Sequence, residues 1–160
     1  MPTVLDQAIE STVARLMADD GPLAVNYVEK YGVQIPAIAK APGNLRDYFA
    51  FFCAMNAEKE FLIDGDQRLT FAECHSAARA LAGGLIEGHG LKSGERVGIA
   101  ARNSANWIIA YMAILMAGGV ATLLNGWWQG GELADGIRMV DCRFVLADAQ
   151  RAARLQGEDI

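Results

Sequence analysis

The chain has 160 residues, of which 52% are apolar and 21% charged, and its net charge is −5. That length suits one domain of ordinary size, and the balance of apolar and charged residues excludes a disordered chain. No block of Lys or Arg stands out, so nucleic acid is not an expected partner.

No basic segment followed by an apolar run opens the chain, so no signal peptide is expected and the location implied is cytoplasmic. Leu5, Ile9, Val13 and Leu16 recur at helical spacing and predict a first amphipathic helix. Asp19 to Pro42 carries three prolines and two glycines and reads as an irregular connector. Asn44 can cap a second helix running to about Ala57, with Leu45, Tyr48, Phe49 and Phe52 as its apolar stripe. Residues 1–59 are therefore expected to form N-terminal helices and a connector.

From Glu60 the rhythm changes, and residues 60–160 read as an α/β subdomain. Phe61 to Ile63 and Arg68 to Thr70 are short strand-like runs around Asp64-Gly65-Asp66-Gln67, which predicts a β-hairpin. Thr70-Phe71-Ala72-Glu73 has the spacing of a capping box. The helix it opens places Phe71, Cys74, Ala78, Leu81 and Leu85 on one face and ends at Gly88 and Gly90. A turn at Lys92-Ser93-Gly94-Glu95 leads into a strand over 96–101, and Asn103 or Ser104 caps an apolar helix to Ala117. That helix is far shorter than the roughly 20 residues of a membrane span, so it is expected in a protein core. Strands over 120–124 and 144–147 flank a helix over 132–140, and Asp148 caps a last helix. Alternation of this kind predicts a parallel βαβαβ sheet.

The chemistry-bearing motifs are mostly absent. Gly88-His89-Gly90-Leu91-Lys92-Ser93-Gly94 is one residue too long for a dinucleotide fingerprint and precedes a strand instead of following one. Gly118-Gly119 falls at a helix end and reads as a C-cap. His75 and His89 have no acid or cysteine at ligand spacing, and Cys53, Cys74 and Cys142 fit neither a disulfide framework nor a zinc site. The cysteines read as small buried hydrophobes in a reducing compartment. No catalytic residue and no metal ligand is predicted. One location stands out, because ligands of open parallel sheets bind beyond the carboxyl ends of the strands. Those ends are Arg102-Asn103, Asn125-Gly126-Trp127-Trp128 and Asp148. Gly126 beside two tryptophans reads either as a surface for a ligand or as core.

The order of these pieces resembles the adenylate-forming superfamily, and in particular its AMP-forming acyl-CoA synthetases. Leu69-Thr70-Phe71-Ala72-Glu73-Cys74 resembles the first signature motif, of Leu-Thr-Tyr-x-Glu-Leu type, and Leu115-Met116-Ala117-Gly118-Gly119 through Leu124 resembles the second. Gly94 to Ile99 resembles "GDRVAI", Arg102-Asn103-Ser104 resembles the start of "RNSPEW", and Phe144 to Asp148 resembles "VVIAD". Asn44 to Phe49 is similar to the usual N-terminal helix, so the resemblance covers about residues 44–155. It implies a ligase, for instance of fatty acid metabolism, that activates a carboxylic acid with ATP and Mg²⁺ to acyl-AMP and transfers it to coenzyme A.

The sequence departs from that pattern in lacking the Ser/Thr/Gly phosphate loop with its lysine, the ribose-binding Asp and the small C-terminal domain. The chain is therefore expected to be an N-terminal segment, inactive and without a cofactor by itself. Similarity to the acetyl-CoA synthetase branch implies coenzyme A contacts at Gly126, Trp127 and Arg151, with Arg154 as the alternative to Arg151; the bland reading of both arginines is a solvated helix face. Trp127, Trp128 and the helix from Trp107 to Met116 are the apolar features expected to be left uncovered, and they predict self-association as a homodimer. Two other readings stand beside this one: a peptide-synthetase adenylation domain, and a non-enzymatic α/β interaction module.

Overall fold

The computed structural model describes residues 2–160 and divides into two compact units, with the boundary between Asn44 and Leu45. In the first unit, helix α1 (Val4–Met17) is opened by Thr3. The Asp6 amide donates to Thr3 Oγ1 at 3.2 Å and the Thr3 amide to Asp6 Oδ2 at 2.7 Å, so two otherwise orphaned donors are satisfied together. The stripe of Leu5, Ile9 and Val13 is present but exposed, and no residue of α1 is buried.

The connector expected over 19–42 is a correction: it holds an antiparallel hairpin of β1 (Val25–Lys30) and β2 (Val33–Ile38). Tyr31 and Gly32 turn the chain with φ of 54° and 76°, the pair of positive values that a two-residue I′ loop requires. Pro36 argued against a strand, yet it pairs with Tyr27. The Ala39 amide donates to the Ala24 carbonyl at 2.8 Å. Hydrogen-bonded pairs alternate along an antiparallel ladder, so Tyr27–Pro36 falls on a non-bonded pair and the missing N–H costs nothing.

The second unit begins with α2 (Leu45–Met55). Its inward side is Phe49 and Cys53, whereas Leu45, Tyr48 and Phe52 of the predicted stripe are more than a third exposed. The hairpin of β3 (Glu60–Asp64) and β4 (Gln67–Thr70) forms as expected around Gly65-Asp66. Thr70 then opens α3 (Phe71–Gly83) with the predicted capping box, the Thr70 amide donating to Glu73 Oε2 at 2.8 Å. That backbone bond, followed by the one from the Thr70 hydroxyl, holds the Glu73 carboxyl below its usual range. A π-helical turn over Gly84–Gly88 continues α3, a departure from the uniform helix that the 3-and-4 spacing predicts.

The central sheet has three parallel strands in the order β6 (Val120–Leu123), β5 (Arg96–Ala100), β7 (Phe144–Ala147). Four of the five residues of β5 are buried, and they alternate between two cores. Val97 and Ile99 join Cys74, Ala78 and Leu85 beside Met112 and Ile114 of α4 (Ala105–Met116). Ala100 joins Leu124 and the residues Leu133 and Ile137 of α5 (Gly130–Met139). Gly98 faces this second core, where an added Cβ would stand 2.8 Å from Leu124 Cδ1. Helix α4 thus leaves β5 toward one face, while α5 leaves β6 toward the other.

Ser104, one of the two predicted caps, opens α4 by accepting the Trp107 amide at 3.2 Å. The β3 end adds a second cap, since Asp64 Oδ2 accepts the Ala105 amide at 3.0 Å. Gly118, with φ of 78°, follows the Ala117 cap and ends the helix, a conformation that favours glycine. Helix α5 starts two residues before the expected Glu132, because the Gln129 amide donates to Glu132 Oε2 at 3.0 Å and places Gly130 in the first turn. Asp148 caps α6 (Ala149–Arg154). Among the described residues no helix is long and apolar enough to cross a membrane.

Candidate functional site

The carboxyl end of β5 lies where chain connections diverge to opposite faces, the place where open α/β sheets form a crevice. A cleft of about 660 Å³ opens there, lined by Arg102, Asn103, Asn125, Gly126, Trp127, Arg151 and Arg154 among others. A second groove, about 550 Å³ between α2 and α3, is lined mainly by alanines with His75, Ser76 and Arg79. Among the described residues no group of three or more His, Cys, Asp or Glu is placed to hold a metal ion.

Asp148, at the end of β7, is bonded to the end of β5 and to Arg151. Its Oδ2 accepts the Arg102 amide from the β5 end at 2.9 Å and Arg151 Nη1 at 3.1 Å; its Oδ1 accepts the Arg151 amide at 2.9 Å. Burial pushes the Asp148 carboxyl up. The bonds from the Arg102 and Arg151 amides, with the Arg151 guanidinium, outweigh that effect and hold it below its ordinary value of 3.8.

Arg151 carries the connection onward to the β6 end: its Nε donates to the Gly126 carbonyl at 2.8 Å. Arg154 Nη1 donates to the same carbonyl at 3.1 Å and to the Trp128 carbonyl at 2.8 Å. The loop itself is turned by Asn125, whose Oδ1 accepts the Trp127 amide at 3.0 Å. A Cβ at Gly126 would stand in tight contact with the Ala101 carbonyl, 3.3 Å away, and in ordinary contact with Arg151 Nε at 3.5 Å.

The structure therefore brings Gly126, Trp127 and Arg151 together at one cleft. It corrects the reading of the arginines as a solvated helix face, because Arg151 is 3% exposed and Arg154 is half-buried. The two tryptophans part company. Trp127 is 83% exposed beside the cleft, whereas Trp128 packs in the second core against Leu133 and Ile137. The helix from Trp107 to Met116, expected to be uncovered, has five buried residues and belongs to the first core.

Cys53 and Cys74 are buried and Cys142 is half-buried, all three as free thiols. Burial, with a contribution from Cys53, pushes the Cys74 thiol up to about 11, which suits an inert core residue. Sequence reasoning placed Asp148 and Arg102 at strand ends and Asp148 also as a helix cap, but gave neither side chain a part in the site. The Asp148–Arg151 spacing of three was readable as a local pair. The bond from Asp148 to the Arg102 amide, 46 residues away, exists only once β5 and β7 are paired.

A parallel βαβαβ subdomain with a cleft at the strand carboxyl ends defines an open-sheet α/β segment. Residues 49–159 match the model of the AMP-binding enzyme family, so the chain belongs to that family. It is 30% identical over 96 residues to the medium/long-chain-fatty-acid–CoA ligase FadD6 of Mycobacterium tuberculosis, covering 60% of this chain and 16% of that protein. It is 35% identical over 92 residues to the nonribosomal peptide synthetase ecdA of Aspergillus rugulosus, covering 58% of this chain and 1% of that one. The fold is similar to that of a benzoate CoA ligase from Burkholderia xenovorans, with a TM-score of 0.67, 21% identity and coverage of 72% and 23%. It is also similar to o-succinylbenzoate CoA synthetase from Bacillus subtilis, solved with its acyl-adenylate intermediate, with a TM-score of 0.61, 27% identity and coverage of 65% and 27%. The chain spans less than a third of the length of each of these proteins.

Proposed function

We propose that residues 60–160 are the first α/β subdomain of an AMP-forming carboxylate–CoA ligase, preceded by an N-terminal region over 1–59. The observation that carries this reading is the family match over 49–159 on a sheet whose strand ends form a cleft with arginines and an exposed tryptophan. When bound, ATP with Mg²⁺ would supply the adenylyl group that activates the carboxylic acid, with pyrophosphate leaving, and coenzyme A would supply the thiol that displaces AMP to give the thioester. In this chain Gly126 and Trp127 would receive the nucleotide end of coenzyme A. The exposed Trp127 ring suits a flat base, and the arginines around the cleft suit phosphate.

The 160 residues contain no Ser/Thr/Gly-rich phosphate loop with a lysine, the device by which this reading expects the charge on a triphosphate to be neutralised. The chain alone is expected to give no carboxylate-dependent ATP–pyrophosphate exchange above background. Robust exchange by the purified chain with a fatty or aromatic acid would remove this reading. The similarity to ecdA favours a second one, a peptide-synthetase adenylation domain. Coenzyme A would be no substrate there, so absence of coenzyme A binding at the cleft would favour it.

Self-association as a homodimer belongs to the same proposal. With α4 and Trp128 covered, it is supported by Trp127 and by the edge strand β6, where Val120 and Leu123 are about half exposed. Sedimentation equilibrium should show a concentration-dependent dimer; a monomer at high micromolar concentration would refute it.

A further inference from the structure

We propose that Arg151 is a positioning residue, not a ligand contact: with Asp148 it holds the Gly126–Trp127 turn so that the Trp127 ring and the Arg102 guanidinium are the groups that meet a nucleotide phosphate ligand. The inference rests on the coenzyme A reading above.

Arg151 is the one buried charged residue among the described residues. Each part of its guanidinium that makes a bond is directed at this chain: Nε at the Gly126 carbonyl, Nη1 at Asp148 and at Gln150 Oε1. A buried cation is stable only when so paired, and removing one partner leaves the charge uncompensated. Turning Arg151 toward a phosphate would give up the Gly126 bond, and the turn lies directly on the guanidinium.

Arg102 is the opposite case. Its amide is held by Asp148, but its side chain is exposed and makes no hydrogen bond or ion pair among the described residues. It lines the same cleft as the Trp127 ring. An open cation beside an exposed indole suits a ligand that presents a flat base and a phosphate. The fork of Arg151 is the reason that lysine cannot replace it, since one ammonium cannot span both the Gly126 carbonyl and Asp148 in the same geometry.

Nuclear magnetic resonance of the chain, with titration of adenosine 3′,5′-bisphosphate at two salt concentrations, tests this division. In the ligand-free chain, Arg151→Lys should move the Gly126 amide and Trp127 indole resonances while the Ala78 amide in α3 stays in place. Asp148→Asn, which keeps the shape of the side chain, should move the same two resonances. Arg151→Lys should weaken the probe about tenfold although the positive charge is kept. Arg102→Gln should weaken it by a similar factor and flatten its salt dependence without moving the ligand-free Gly126 resonance. The proposal is overturned if Arg151→Lys and Asp148→Asn leave Gly126 and Trp127 unmoved, or if Arg102→Gln binds as the parent does. A parent chain that does not bind the probe would sink the coenzyme A reading, and the ligand-free resonances would still decide the role of Arg151.

Discussion

Replacing Ile99 with alanine is expected to lower the unfolding free energy by about 2–5 kcal/mol. Ile99 sits in the middle strand of the parallel sheet and is 1% exposed. It belongs to the core shared by α3, the π-turn and α4. The loss has two parts, the transfer of the deleted carbons and the cavity that a strand held on both sides cannot close. Domains of this kind are stable by about 5–15 kcal/mol, so the variant should unfold at a markedly lower urea concentration with the slope of the transition unchanged. Ile63, 60% exposed on β3, is the matched control, and its alanine variant should stay within about 0.5 kcal/mol of the parent. Equal losses at the two positions would show that the core is not where this structure puts it.

What the sequence disclosed, it disclosed through local rules. The Thr70 capping box, the Gly65-Asp66 reversal and the alternation of strands with helices after residue 95 are short-range patterns, and each one formed. The first hairpin stayed hidden because Pro36 and the neighbouring prolines resemble linker chemistry; only the ladder parity shows that Pro36 faces a non-bonded position. The stripe on α2 misled for a related reason. Leu45, Tyr48 and Phe52 have helical spacing, but the surface available to α2 is offered by α3, and Phe49 with Cys53 meets it. At the site, Gly126 and its tryptophans were visible as an unusual strand end. The sequence could not assign Trp127 to solvent and Trp128 to core, because that depends on where α5 passes. Nor could it tell that Arg151 would be buried, since its partners Gly126 and Asp148 come from the ends of different strands.

Gly136→Ala should reverse its sign according to what stands at residue 128. Alanine favours a helix over glycine by about 1 kcal/mol, and Gly136 lies inside α5, so the substitution would ordinarily stabilise. Here an added Cβ would fall on the Trp128 ring, against Cζ3, with Cε3 and Cη2 each 3.2 Å away. That ring is no flexible tip. It packs with Leu133 and Ile137, and the Trp128 carbonyl is held by Arg154 at 2.8 Å. Either α5 shifts off the sheet or the indole leaves the core; burial of a side chain of this size is worth about 3–5 kcal/mol. The expected net loss is about 2–4 kcal/mol once the helix gain is subtracted. In a Trp128→Ala background the obstacle is gone, and the same Gly136→Ala change should become neutral or stabilise by up to about 1 kcal/mol. Urea denaturation of the two single variants and the double variant measures the coupling directly. A Gly136→Ala penalty that is the same in both backgrounds would mean that Trp128 does not rest on α5. The second core, and with it the fixed side of the Gly126–Trp127 turn, would then be wrongly placed.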